Sequence, residues 1–144
     1  MAVRASREIV IEAPPEAIMN ALADVEALPS YSSVHKRAEV VDRYGDGRPH
    51  HVRVKVKAYG LSDTEVLEYR WGPDWLVWDA ERTPQQHAQH VEYTLRADPT
   101  GGSTRVRVDV TVEAALVPDF LIEKASRALM DTATVGLRDR VLRG

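Results

Sequence analysis

Between Thr104 and Glu113 the chain reads Thr-Arg-Val-Arg-Val-Asp-Val-Thr-Val-Glu, a strict alternation with four valines on one face and charged or hydroxyl side chains on the other. Only an extended strand separates the two sets cleanly, because a helix would scatter the valines around its axis. Such a strand is half-buried, so it belongs to an antiparallel sheet with one face on a core and the other in water. Residues 51–58 repeat the pattern, with Val52, Val54, Val56 and Ala58 inward and Arg53, Lys55 and Lys57 outward.

The same period predicts further strands over residues 4–11, 34–44, 63–71, 75–82 and 88–97. The breaks between them carry turn residues: Gly45-Asp46-Gly47, Gly60, Gly72-Pro73-Asp74, Thr83-Pro84-Gln85-Gln86 and Asp98-Pro99-Thr100-Gly101-Gly102. Connections this short join neighbouring antiparallel strands, not parallel strands with crossover helices. After the first strand, Pro14-Pro15-Glu16 predicts a helix over residues 15–23, since proline is tolerated in the first turn and Glu16 complements the positive helix end. Asp24 is expected to cap a second short helix that Pro29 stops.

Residues 118–142 carry the longest helical pattern, about 37 Å at 1.5 Å per residue. Leu121, Ala125, Ala128, Leu129, Thr132, Val135 and Gly136 fall on one arc, and Glu123, Lys124, Arg127, Asp131 and Arg138 on the other. The inner arc is made mostly of small residues, whereas a helix laid on a sheet has a gap of ~10 Å to fill. Facing it are Val54, Val56, Val108 and Val110, again of moderate size. Two packings satisfy this pattern: aromatics from the middle strands fill the gap, or a cavity remains for an apolar guest. The small arc favours the cavity. By parity Trp78 and Tyr93, and with them Tyr69 and Trp71, share the concave face, as core filler or as ligand contacts.

The order of strand, two short helices, six antiparallel strands and a long helix resembles the helix-grip fold of the START-like, Bet v 1-like superfamily. Within it, residues 11–18 (Ile-Glu-Ala-Pro-Pro-Glu-Ala-Ile) and 22–31 (Leu-Ala-Asp-Val-Glu-Ala-Leu-Pro-Ser-Tyr) are similar to the opening of its polyketide cyclase/dehydrase and coenzyme Q-binding (SRPBCC) branch. Gly101-Gly102-Ser103-Thr104-Arg105-Val106 and Pro118-Asp119-Phe120-Leu121 agree with it. The resemblance implies an α+β fold: a seven-stranded curved antiparallel sheet around a long C-terminal helix, as one ligand-binding domain over residues 1–144. It also implies an apolar cavity opening near the start of that helix, which adds Phe120 to the candidate contacts Leu121, Ala125 and Leu129.

The expected function is binding or carriage of a hydrophobic small molecule such as a lipid, quinone or polyketide. The alternative is an aromatase/cyclase or dehydratase working in the same cavity, which requires a titratable group with a shifted pKa inside it. Glu68 and Asp79 fall outward by parity, which weakens the enzyme reading; His51 or His35 near the rim is the candidate proton-transfer group. His87 and His90, three apart in an extended segment, point to opposite faces, so no metal and no cofactor is expected. Nineteen basic against twenty-two acidic residues give a net charge of −3 with the signs mixed, which offers no basic field for nucleic acid. The absence of cysteine excludes disulfides and thiolate chemistry. Residues 1–11 alternate instead of forming a secretion signal, and no run reaches membrane-spanning length, so a cytoplasmic location without integral membrane association is expected. The oligomeric state carries no signal.

Overall fold

The computed structural model describes residues 2–80, 88–114 and 117–143. The expected turn over residues 83–86, the last two residues of the strand expected to end at Arg82, and His87 lie outside the described residues. Among the described residues there are seven strands: β1 (Ala2–Ile11), β2 (His35–Arg43), β3 (Pro49–Ala58), β4 (Leu61–Trp71), β5 (Trp75–Ala80), β6 (Ala88–Ala97) and β7 (Thr104–Glu113). They form one sheet in the order β1-β7-β6-β5-β4-β3-β2, every pair antiparallel. The chain is therefore a meander from β2 to β7, closed by β1 returning beside β7. The alternation of burial follows the sequence pattern, most regularly in β7, where Val106, Val108 and Val110 are buried and Arg105 and Arg107 exposed.

Helix α1 (Pro15–Ala23) begins with proline in its first turn and buries Ile18, Met19 and Leu22. The next segment, Val25–Ser30, is a 3₁₀ helix that contains Pro29, and Asp24 makes no side-chain cap to it. The Asp24 carboxylate instead accepts a hydrogen bond from Arg140 Nη2 at 3.1 Å. The tie it makes is to the far end of the chain, not to its own helix.

The C-terminal helix crosses the concave face as expected, but in three registers: α2 (Asp119–Asp131), a π-helical turn (Thr132–Gly136) and α3 (Leu137–Arg143). The π turn holds wider backbone hydrogen bonds than an α-helix, and Thr132 and Thr134 sit at it with their hydroxyls donating to the carbonyls of Ala128 (3.1 Å) and Met130 (2.6 Å). The stripe that the helix buries is turned by roughly 100° from the arc expected from the sequence. Val135, expected inward, is 52% exposed, while Ile122, Ser126, Met130, Ala133 and Leu137 are buried.

Two small residues of the expected arc serve close approach, not empty space. A Cβ on Gly136 would lie 2.7 Å from the Tyr31 carbonyl oxygen and 3.3 Å from its ring, and the Thr132 hydroxyl lies 3.3 Å from that of Ser32. Gly136→Ala is thus expected to lower stability by about 1–2 kcal/mol, overcoming the ~1 kcal/mol that alanine gains in helix propensity. Urea denaturation checks it, and a more stable variant would show that Tyr31 gives way freely.

Candidate functional site

The middle of the concave face is filled by stacked rings. Tyr69 lies against Trp78 with centroids 5.0 Å apart and planes at 13°, and Trp78 meets Tyr93 at 5.3 Å. Burial pushes the Tyr69 and Tyr93 hydroxyl pKa values up, so both rings stay neutral. Trp71, half-buried, donates its Nε1–H to the Pro49 carbonyl at 2.8 Å and lies under the Arg48 guanidinium.

Beside these rings a cavity of about 150 Å³ remains between the sheet and the first half of α2. It sits at one end of the sheet, where β2, β4 and β6 begin and β3 and β7 end. Val56 and Ala58 of β3, Leu67 of β4, Val112 and Ala114 at the end of β7, and Leu121, Ile122, Ala125 and Leu129 of α2 make its apolar wall. At the nearby β3–β4 turn Tyr59 and Gly60 both have positive φ, and Lys124 of α2 reaches across to lie 5.8 Å from the Tyr59 ring. A smaller hollow of about 20 Å³ lies deeper, against Tyr31, Tyr69, Trp78 and Tyr93.

The residues expected from the sequence divide accordingly. Val56, Trp78, Leu121, Ala125 and Leu129 line the main cavity, and Tyr69 and Tyr93 line the deeper hollow together with Trp78 and Leu129. Val54, Val108 and Val110 belong to the closed core. Phe120 is 60% exposed and outside the wall.

Polar groups interrupt the apolar wall. Glu65 and His35 line it while only 6% and 5% exposed, and Ser126 and Gln89 join them. The Trp78 Nε1–H and the Ser126 hydroxyl have no hydrogen-bond partner among the described residues. Glu65 is not among the carboxylates that the sequence singled out, although its parity, the same as that of Leu67 and Tyr69, is a signal that turns it inward.

His35 is uncharged at neutral pH, because burial pulls its pKa down to about 4. Its tautomer follows from Ser32. The Ser32 Oγ accepts the backbone N–H groups of Val34 (3.2 Å) and His35 (3.0 Å), which uses both lone pairs, so its proton goes to His35 Nδ1 at 2.7 Å. The imidazole proton therefore sits on Nε2, and His35 enters the wall as a neutral group with a fixed donor. A buried carboxyl and a neutral imidazole in one apolar wall are able to bind or exchange protons with an oxygen function. The sequence carried the signal for His35 in its place at the start of β2, but nothing in it singled out Ser126.

The chain matches the family model described as "Polyketide cyclase / dehydrase and lipid transport" over residues 2–142. Among solved structures it is similar to a START superfamily protein from Mycobacterium smegmatis, with 23% identity, 97% of each chain covered and a TM-score of 0.84. It is also similar to the Zhui aromatase/cyclase from Streptomyces sp. R1128, with 13% identity, 99% of this chain and 95% of that chain covered and a TM-score of 0.78. At these identities the likeness concerns the fold. A search of curated proteins found no match. Among the described residues no helix is long and apolar enough to cross a membrane.

Proposed function

The chain belongs to the polyketide cyclase/dehydrase and lipid transport family, and from that premise we propose that it binds a hydrophobic small molecule, a lipid, quinone or polyketide, between the sheet and α2. The observation that carries this reading is the apolar cavity of about 150 Å³ beside an already stacked aromatic cluster. A void of this size is on the scale of those that accept a single aromatic ring. A larger guest would place one ring or chain end inside and the rest through the mouth. Burying ~300 Å² of apolar ligand surface contributes about 7 kcal/mol before association costs, which suits micromolar, exchangeable binding. Native mass spectrometry of protein purified from cells without denaturation tests it. A retained guest, or uptake from a panel of lipids, quinones and polyketide mimics, supports the reading; repeated recovery of empty protein that takes up none of them overturns it.

The unpartnered Ser126 hydroxyl adds a check that does not need the guest's identity. A buried hydroxyl without a partner costs stability, so Ser126→Ala is expected to stabilise the empty protein by about 1 kcal/mol. The same change is expected to weaken binding of an oxygen-bearing guest. Loss of stability instead would mean that the hydroxyl is already satisfied within the protein.

A second reading, an aromatase/cyclase or dehydratase, is favoured by one observation: His35 and Glu65 stand buried in the cavity wall. A neutral imidazole and a carboxyl there are the groups an enolisation or dehydration needs for proton transfer. The Zhui neighbour carries the description aromatase/cyclase. Turnover of a poly-β-ketone mimic that is lost in His35→Gln or Glu65→Gln, with guest binding retained, would establish it; binding without turnover leaves the carrier.

A further inference from the structure

A second cluster of ligand-bearing side chains lies at the other end of β3, about 16 Å along the strand from the Val56 edge of the cavity. His50 and His51 are sequence neighbours, and in a regular strand their rings would point to opposite faces. The β2–β3 ladder is irregular here: Asp42 pairs with His51 and Arg43 with Pro49, which leaves His50 outside the register. That bulge brings the His50 ring onto the His51 ring, with centroids 4.0 Å apart, and Tyr44 stacks on its other side at 4.2 Å.

The two imidazoles then stand between two carboxylates. On one edge, Asp42 Oδ1 is 2.9 Å from His51 Nδ1 and 3.7 Å from His50 Nδ1. On the other, Glu68 Oε2 is 3.3 Å from His50 Nε2 and 3.7 Å from His51 Nε2. Glu68 is brought there by its position opposite His51 on β4, and Asp42 is held by the His51 backbone N–H at 2.9 Å.

We propose that Asp42, His50 and His51 form a binding site for a divalent transition metal of the zinc class, with Glu68 behind them. One donor atom from each of the three lies within 4.8 Å of the others. A tetrahedral ion with bonds of about 2.0–2.1 Å holds its donors about 3.3 Å apart, a value that the 2.9 and 3.7 Å separations on the Asp42 edge straddle. Glu68 accepts the Nε2–H of His50 at 3.3 Å and lies 3.7 Å from His51 Nε2, so its charge favours the Nε2–H form of both rings that leaves the Nδ1 lone pairs for the ion; such a carboxylate behind a ligating histidine fixes the tautomer. The proton that His51 shares with Asp42 in the metal-free chain passes to Nε2. Two imidazoles with one carboxylate suit zinc, nickel or copper over calcium or magnesium, which take oxygen ligands. The half-exposed setting leaves the fourth position to water.

The test is calorimetric titration of the tag-free full chain with zinc chloride near neutral pH, with native mass spectrometry for stoichiometry. One zinc per chain is expected, with a dissociation constant on the order of micromolar. His50→Ala, His51→Ala and Asp42→Asn are each expected to weaken it about tenfold or more, and Glu68→Gln, which leaves the three ligands in place, by roughly tenfold. His90, a single imidazole between Asp79 and Glu92, supplies the control: His90→Ala should change nothing. Circular dichroism confirms that each variant is folded. No saturable binding below about 100 µM zinc, full affinity in His50→Ala and His51→Ala, or loss in His90→Ala would each overturn the proposal.

Discussion

Ala125→Trp is expected to lower the affinity for apolar guests about 100-fold or more while leaving the chain folded. Ala125 lies on the cavity side of α2, midway between Leu121 and Leu129, so an indole there enters the void of about 150 Å³ and displaces any occupant. The sheet and the ring stack beneath need not move, because the added volume goes into the cavity and not into the packed core. Val135→Trp is the matched control: it adds the same bulk to the same helix at a position 52% exposed. Fluorescence titration with an anilinonaphthalene probe reads both. Unchanged affinity in Ala125→Trp would place the binding site elsewhere, and loss of affinity in Val135→Trp would mean that the effect is not specific to the cavity.

Acidification from neutral to about pH 4 should cost the fold about 3 kcal/mol through His35 alone. Burial holds the imidazole pKa at about 4 in the folded chain against 6.5 for an unconstrained histidine. Below pH 6.5 the unfolded chain therefore takes up a proton that the folded chain refuses, and stability falls until the folded pKa is reached. His90 runs the opposite way. Burial opposes its charge, but hydrogen bonds to Glu92 and Asp79 raise its pKa overall, so its contribution is present at low pH and fades as pH rises. Carboxylates held low by their partners, among them Glu12 beside Arg138 and Asp109 beside Arg107, begin to lose their contribution as pH falls through the ordinary values of 4.5 and 3.8, at the acid end of the His35 window and below it. Urea midpoints from neutral to about pH 4 should thus be flatter in His35→Gln than in the parent. Parallel curves would mean that His35 is protonated in place or reached by water.

Strand parity was legible to the residue wherever the ladder is regular. It placed Val56, Trp78 and the buried valines of β7, and it also places Glu65, since position 65 shares the face of Leu67 and Tyr69. Parity gives out at irregularities. The bulge that pairs Asp42 with His51 and leaves out His50 carries no proline or glycine within β2 or at positions 50 and 51, so the meeting of two adjacent histidines was invisible in the sequence. The small side chains of the helix were legible as a stripe, but not in their two uses: Ala125 borders a void, while Gly136 lets the Tyr31 backbone come close. Composition cannot separate these, because the difference lies in what a distant segment does. The Ser32–Thr132 contact joins residues a hundred positions apart and shares that limit.

The π turn divides the last helix into two frames of reference. A helical wheel centred on the small residues Ala125, Ala128 and Thr132 is turned by roughly 100° from the stripe that Ile122, Ser126 and Met130 bury, and so puts Val135 toward the sheet. Wall positions inferred from a relative whose helix lacks the additional residue therefore transfer to this chain only as far as Asp131. Beyond that point the alignment has to be shifted by one before any position is taken to face the interior.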